Sequence, residues 1–181
     1  MKATGIVRRI DDLGRIVLPK EIRRTLRIRE GDPLEIFTDR EGEIILKKYS
    51  PIGELSQYAK EYVEALSQTT GNTVCIADRD QIVAASGQNR KEVLEKPISQ
   101  ELERAIEDRS VILAADKEKA YCTIAQENEE YVWEVIAPII CEGDAIGAVI
   151  MVTRDKRARF GETEQKLATA AAVFLGKQLE Q

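Results

Sequence analysis

The chain has 181 residues, of which 43% are hydrophobic and 33% are charged, and its formal net charge is −5. This composition is typical of a globular protein of one domain or two small ones, and we find no membrane-spanning run or export signal, so we expect a cytoplasmic protein without a membrane partner. The chain has no histidine and its three cysteines lack CxxC spacing, which excludes Ser-His-Asp triads and histidine-ligated metal sites and argues against a disulfide framework or a zinc cluster.

The charge is distributed unevenly along the chain. Residues 1–49 hold twelve basic and nine acidic residues, whereas residues 50–181 hold fifteen basic and twenty-three acidic residues. We therefore predict a cationic N-terminal domain, residues 1–49, that binds a polyanion. A short hinge at residues 50–53 is predicted to connect it to an acidic domain, residues 54–181.

The first half of the N-terminal domain is predicted to be strand, turn, strand and helix. Residues 6–10 and 15–18 are short β-branched runs, and the Asp and Gly residues between them favour a turn. Pro19 is suited to the first position of a helix, because its missing N–H has no partner there. This helix should run for about two turns and end near Ile28.

A β-hairpin is predicted next, with strands at residues 34–38 and 43–48. Fewer than 50 residues with few large apolar side chains can hardly bury a core of their own. We therefore expect two copies to interlace into a homodimer. Such a dimer would set the cationic surface in two-fold register, as a DNA duplex with symmetric half-sites requires.

The predicted helix is amphipathic, with Ile22 and Leu26 on its apolar face. Four basic residues form the opposite face: Lys20, Arg23, Arg24 and Arg27. A face of this kind is most often simply solvated. Here Arg8, Arg9 and Arg15 add to the charge and few acids neutralise it, which favours phosphate groups of double-stranded DNA as the counter-charge.

The N-terminal residues resemble a known family of DNA-binding domains. Residues 4–26 and 31–36 are similar to the DNA-binding domain of AbrB-type transition-state regulators, most specifically through the run Gly14-Arg15-Ile16-Val17-Leu18-Pro19 followed by Arg23-Arg24. The resemblance implies a swapped-hairpin fold in which two chains form one β-barrel. It implies DNA contacts by four arginines: Arg8, Arg15, Arg23 and Arg24. Charge and helix geometry add four further candidates: Lys2, Arg9, Lys20 and Arg27.

The acidic domain is predicted to be α+β. Two long helices, at residues 54–70 and 163–179, flank it, and Ser99 is predicted to cap a third helix at residues 100–108. Six strands are predicted between the flanking helices: residues 73–77, 82–85, 111–114, 121–125, 131–140 and 146–153. This order predicts an antiparallel sheet with its helices on one side, and it resembles a GAF domain. The whole chain resembles the stage V sporulation protein T family, which joins an AbrB-type domain to a GAF-like domain.

The GAF resemblance implies a pocket for an unidentified small-molecule effector, lined by Cys75, Tyr121 and Trp133. Buried Cys and Trp residues are more often ordinary core, and this alternative stays open. The last predicted helix contains a run of small residues: Ala168, Ala170, Ala171 and Ala172. These either let it approach another copy closely, joining two dimers into a homotetramer, or simply favour helix formation.

These features together predict a sequence-selective DNA-binding transcription regulator, nucleoid-associated, without a cofactor and without enzymatic activity. Its connection to sporulation rests on the family resemblance. One alternative is an antitoxin-like swapped-hairpin protein, which would carry a disordered toxin-binding tail rather than a folded domain. Another is a small-molecule-binding GAF protein or enzyme that does not bind DNA.

Overall fold

A computed structural model describes residues 5–125 and 131–180 of the chain. The chain divides into two compact units, Met1–Tyr49 and Ser50–Gln181, which we call the head and the body. The residues predicted as a hinge begin the body, and Pro51–Glu54 form a one-turn helix there. No helix within the described residues is long and apolar enough to cross a lipid bilayer.

The described part of the head contains one short helix and one β-hairpin. Helix α1 spans Lys20–Thr25, and strands β1, Leu34–Thr38, and β2, Ile44–Lys48, pair antiparallel. Helix α1 is shorter than the two turns expected from the sequence. It ends because Arg27 adopts a left-handed backbone conformation with φ of 51°.

Two predicted strands of the head, residues 6–10 and 15–18, are not formed within the single chain. A strand needs a neighbouring edge, and the sequence does not say whether that edge belongs to the same chain. Among residues 5–49, Pro19 alone is buried. Eleven large apolar side chains of the head are exposed: Ile6, Val7, Ile10, Leu13, Ile16, Val17, Leu26, Ile36, Phe37, Ile44 and Leu46. The described head therefore has no hydrophobic core of its own.

The body is built on a five-stranded antiparallel sheet. Its strands are β3, Thr73–Asp78, β4, Ile82–Ser86, β5, Ile112–Ala115, β6, Trp133–Cys141, and β7, Asp144–Thr153. They lie in the order β4-β3-β7-β6-β5. Its helices are α2, Pro51–Glu54, α3, Ser56–Thr70, α4, Arg90–Val93, α5, Gln100–Glu107, and α6, Glu162–Leu179. The predicted cap of α5 is confirmed, because Ser99 Oγ accepts a hydrogen bond of 2.9 Å from the N–H of Leu102.

The strand predicted at residues 121–125 is wrong, since only an isolated bridge between Ala125 and Ile98 is present there. The backbone of this segment is satisfied by side chains instead of by a neighbouring strand. The N–H of Cys122 donates to the Glu134 carboxyl group at 2.6 Å, and the N–H of Thr123 donates to a carboxylate of α5 at 2.8 Å. The alternation of side chains in the sequence predicts a strand, but it does not show that side chains will accept the backbone hydrogen bonds in place of a neighbouring strand.

Helices cover both faces of the sheet, so the predicted one-sided arrangement is wrong. Because successive side chains of a strand point to opposite faces, β3 directs Val74 and Ile76 towards α3 and α6, whereas Cys75 and Ala77 face α5. Every residue of β3 is buried, and β7 is buried along nearly its whole length. Strands buried on both faces show continuous apolar runs instead of alternation.

Three of the four alanines of the α6 run lie against the sheet of their own chain, and Ala170 is exposed. Ala168, Ala171 and Ala172 are buried in the core between α6 and the sheet of their own chain. At Gly176, an added Cβ would overlap the carbonyl oxygen of Ile140 on β6. The small residues therefore let α6 lie close to its own sheet.

Candidate nucleic-acid interface

Arg15 lies at the end of a turn built around Asp11. Asp11 Oδ1 accepts hydrogen bonds from the backbone N–H groups of Leu13, at 3.0 Å, and Arg15, at 2.7 Å. The N–H of Asp11 donates to the carbonyl oxygen of Arg15 at 3.1 Å. Gly14 has φ of 76°, a conformation that favours glycine. The turn thus fixes the direction in which the chain enters and leaves residues 11–15.

The β1–β2 connection repeats this geometry. Asp39 Oδ1 accepts from the N–H groups of Glu41, at 3.0 Å, and Glu43, at 2.8 Å, and the N–H of Asp39 donates to the carbonyl oxygen of Glu43 at 3.2 Å. Gly42 has φ of 85°. Because this second turn joins two paired strands, the turn at Asp11 has the geometry of a hairpin connection as well.

The Arg15 side chain is held in position by a hydrogen bond to Asp11. Its Nε donates to Asp11 Oδ2 at 2.8 Å, although both side chains are exposed. The backbone and side-chain hydrogen bonds from Arg15, and a smaller contribution from the N–H of Leu13, hold the pKa of Asp11 below its usual range. The two terminal NH₂ groups of Arg15 form no hydrogen bond with another described residue.

Six further cations with a predicted DNA-binding role lie within the described head: Arg8, Arg9, Lys20, Arg23, Arg24 and Arg27. Arg23 is half-buried and the other five are exposed. None of the six forms an ion pair with any residue that the structure describes. Helix α1 brings Lys20, Arg23 and Arg24 together, and Arg8 and Arg9 precede the Asp11 turn. Lys2, the remaining candidate, lies outside the described residues.

Arg27 is not on the face of α1, contrary to the prediction from helical spacing. The N–H of Ile28 donates to the carbonyl oxygen of Arg23 at 2.7 Å, and the N–H of Arg27 donates to that of Arg24 at 3.3 Å. This is the Schellman pattern of a helix end, with Arg27 at the position where glycine is most common. Lys48 Nζ donates to the carbonyl oxygen of Arg27 at 2.9 Å, which helps to hold the loop.

The three residues predicted to line an effector pocket are not brought together. Cys75 is buried on the α5 face, whereas Trp133 packs on the opposite face with its ring 6.5 Å from that of Phe160. Tyr121 is half-buried, and its hydroxyl accepts a hydrogen bond of 3.2 Å from the N–H of Tyr131. Burial raises the pKa of Cys75 to about 12, which disfavours a reactive thiolate.

Glu134 is a residue of the body that sequence analysis missed. Its side chain is fully buried on β6, with Oε1 accepting from the N–H of Cys122 at 2.6 Å and Oε2 having no hydrogen-bond partner within the described residues. Burial raises the pKa of Glu134 to about 8. One charged residue within the apolar run of β6 was the available indication, since charges are rarely buried without a specific reason.

No group of three or more carboxylate or cysteine side chains within residues 5–125 and 131–180 could hold a metal ion. The exposed guanidinium and ammonium groups of the head have the charge that binding an anion requires.

Comparison with known proteins finds relatives of both units. The family model described as stage V sporulation protein T C-terminal, transcription factor, matches residues 54–180, and the model described as antidote-toxin recognition MazE, bacterial antitoxin, matches residues 7–54. The chain is 54% identical to stage V sporulation protein T of Bacillus subtilis (strain 168) over 181 residues, which is 100% of both chains. Over 51 residues it is 65% identical to the transition state regulatory protein AbrB of the same organism, covering 28% of this chain and 52% of AbrB.

A solved structure shares the fold of the body. The GAF domain of a phosphoenolpyruvate-protein phosphotransferase from Coxiella burnetii matches with a TM-score of 0.55 and 22% identity, over 69% of this chain and 82% of that chain. At this identity the likeness concerns the fold alone. The sequence matches and this fold likeness confirm the AbrB-type resemblance of the N-terminal residues and the GAF-like α+β fold of the body.

Proposed function

This chain belongs to the stage V sporulation protein T family of transcription factors, and on that premise we propose that it regulates sporulation genes by binding double-stranded DNA selectively through its head. The observation that carries the proposal is the set of cations around the Asp11 turn and α1, of which five exposed ones and the half-buried Arg23 form no ion pair within the described residues. Phosphate groups supply the missing counter-charge, and the release of their counterions favours binding.

The proposed DNA contacts are made mainly by arginine side chains. Arg8, Arg15, Arg23 and Arg24 are the principal contacts in this proposal, with Lys2, Arg9 and Lys20 as supporting phosphate contacts. A guanidinium group can bridge two phosphate oxygens or bind a guanine edge with two donors held in one plane, a fixed geometry that the lysine ammonium group lacks.

The head is proposed to act as an interlaced homodimer. Its large apolar side chains are exposed and the Asp11 turn has the geometry of a hairpin connection, yet residues 6–10 and 15–18 form no strand within the described head. A second copy would supply both the missing strand edges and an apolar surface to pack against. The two-fold axis would present two sets of arginines to two half-sites of DNA.

The body is proposed to join two such dimers into a homotetramer through α3 and α6. Tyr58, Val173 and Phe174 are exposed there to 55%, 53% and 38%, and the Phe174 ring stacks on that of Tyr62 at 5.3 Å. Aromatic side chains that remain exposed in a group are typical of protein interfaces.

The body is proposed to sense an unidentified small molecule without catalysing a reaction. Burial raises the pKa of the Cys75 and Cys122 thiols, which disfavours the thiolates that cysteine chemistry needs. On the same α5 face, Oε2 of Glu134 is a buried polar atom without a partner among the described residues. Because burial raises the pKa of Glu134 to about 8 and Oε1 already accepts a hydrogen bond, the protonated Oε2 could donate a hydrogen bond to an effector. With DNA as its partner, the protein would be cytoplasmic and nucleoid-associated.

An antitoxin is the second candidate function, because the antitoxin model matches residues 7–54. An antitoxin of this kind would carry a disordered segment that folds on its toxin. Residues 50–181 instead include a five-stranded sheet with its own hydrophobic core, which favours the transcription regulator.

The proposal is tested by removing one exposed arginine from α1. A duplex selected from a random pool by the wild-type protein serves as the probe in a gel-shift titration. Arg24→Ala should lower the affinity by about tenfold or more without changing the unfolding midpoint. Arg40→Ala, which removes an exposed cation from the β1–β2 turn, should bind within about twofold of wild type.

Equal affinities of Arg24→Ala and the wild type would contradict the assigned contact. If the wild-type protein selects no duplex from the pool, the transcription-regulator proposal itself is wrong.

A further inference from the structure

The two turns of the head share a backbone geometry but differ in one side-chain contact. In both turns Oδ1 of the first aspartate accepts from the N–H groups two and four residues later. One oxygen is therefore sufficient to form the turn. In the described head, Asp11 also uses its second oxygen, which accepts from Arg15 Nε at 2.8 Å, whereas the equivalent position after Asp39 is occupied by Glu43.

We infer that Asp11 is a positioning residue that orients Arg15 to read a guanine edge in the major groove of DNA. The inference rests on the proposed function of the head. A hydrogen bond to Nε approaches the guanidinium group from its side and fixes the plane of the group. Both terminal NH₂ groups stay available, and these are the donors that can bind O6 and N7 of guanine together.

Asp11 can orient Arg15 because the Asp11 carboxylate is itself held in place. The carboxylate is held by two backbone hydrogen bonds within its own turn, so it does not move with the arginine. Arg15 is 68% exposed, and an exposed ion pair of this kind adds little to folding stability. It does restrict the arginine rotamers before DNA arrives, which reduces the entropy lost on binding.

If Asp11 acted only through its negative charge, its removal would have a different effect on DNA binding from the one that a positioning role predicts. Its side chain is 37% exposed in a cationic head, and its hydrogen bonds with Arg15 favour the charged carboxylate. A negative charge beside the phosphates should repel DNA, so its removal should tighten binding to every sequence. A positioning role predicts that its removal weakens discrimination between sequences. The two roles therefore differ in the sign of a measurable effect.

Asp11→Asn in the full-length protein separates these roles. The amide oxygen can still accept the two backbone hydrogen bonds of the turn, but the NH₂ group cannot accept from Arg15 Nε. Asp39→Asn is the matched control. It makes the same change of charge in the β1–β2 turn, where the aspartate accepts no hydrogen bond from an arginine side chain among the described residues. Dissociation constants are measured for a duplex selected by the wild type and for its shuffled sequence.

Asp11→Asn should lower the ratio of selected to shuffled affinity by about tenfold. Asp39→Asn should leave that ratio within about twofold of wild type. In an Arg15→Ala background, Asp11→Asn should cause no further loss, because Asp11 acts through Arg15. Arg15→Lys, which keeps the turn and the charge but lacks the planar donor pair, should lose the same selectivity while still binding phosphates.

An unchanged ratio with tighter binding of both duplexes by Asp11→Asn would overturn the inference, as would a further loss in the Arg15→Ala background or full selectivity of Arg15→Lys. If the wild type binds all duplexes equally, the proposed function fails instead, so the two failures are distinguishable.

Discussion

Glu134 is an ionisable residue in a place that is unfavourable for charge. Its side chain is fully buried on β6, and burial raises its pKa from 4.5 to about 8, so the carboxyl group holds its proton at neutral pH. The exposed arginines of the head, in contrast, keep their charge in contact with solvent. The body thus keeps an ionisable group neutral by burying it, whereas the head keeps its ionisable groups charged by exposing them.

A pH-dependent stability follows for the body. In the unfolded chain Glu134 ionises near pH 4.5, whereas in the folded chain it ionises near pH 8. The free energy of unfolding should therefore decrease as the pH rises through this window, by at most about 1.4 kcal/mol per pH unit from this residue. Glu134→Gln removes this contribution, so its stability relative to wild type should increase from pH 5 to pH 8 in urea denaturation.

Glu64→Gln is the control for this experiment, because Glu64 is exposed on α3. Its stability relative to wild type should not depend on pH over the same range. Parallel pH profiles of wild type and Glu134→Gln would show that Glu134 is already ionised in the folded protein.

Helix α6 illustrates how an element depends on its smallest residues. Ala168, Ala171 and Leu175 belong to the core that α6 shares with the sheet, and Gly176 lies directly against β6. A stripe of small residues permits this close packing even though glycine is a poor helix former. Removing α6 would therefore remove part of the core of the body as well as any surface for assembly.

Gly176→Ala should destabilise the body. An added Cβ would overlap the carbonyl oxygen of Ile140, a backbone atom that cannot rotate away. The expected loss is about 1–3 kcal/mol, in spite of the higher helix propensity of alanine. Gly53→Ala in α2 is the control, since its Cβ would make only an ordinary contact of 3.7 Å with Ser50. Thermal unfolding should separate the two variants, and equal midpoints would mean that α6 can shift to accept the methyl group.

For the whole molecule, the charge difference between the two units matches a division of roles. The head exposes cations that suit DNA, and the body exposes an aromatic surface on α3 and α6 that suits another copy of the chain. Bringing two dimeric heads together would raise the effective concentration of the second head on the same DNA. The proposed tetramer would thus strengthen DNA binding without any new contact to DNA.

Phe174→Glu should convert the proposed tetramer into dimers, because a charge in the centre of a buried apolar surface costs several kcal/mol. Leu94→Glu is the matched control, since Leu94 is 37% exposed against 38% for Phe174 but lies at the end of α4. Light scattering coupled to size-exclusion chromatography gives the mass of each variant. A wild type with the mass of a dimer, or a Phe174→Glu variant with the mass of a tetramer, would contradict the proposed assembly.

The sequence by itself determined the features that depend on neighbouring residues. The charge boundary near residue 50, the Ser99 cap, the β1–β2 hairpin and the two long helices of the body follow from composition, capping chemistry and periodicity over a few residues. The AbrB-type motif is similarly local, because its arginines and its turn lie within residues 4–26. Hydrogen bonds between residues four apart or fewer need no knowledge of the rest of the chain.

Tertiary structure alone decided which distant groups meet. It placed Cys75 and Trp133 on opposite faces of the sheet and paired the N–H of Cys122 with the carboxyl group of Glu134. It formed no strand at residues 6–10 within the described head. Each outcome depends on residues far apart in sequence, or on a second chain, whose approach no local pattern encodes. Burial and strand pairing are properties of the assembled fold, and for that reason they had to be observed.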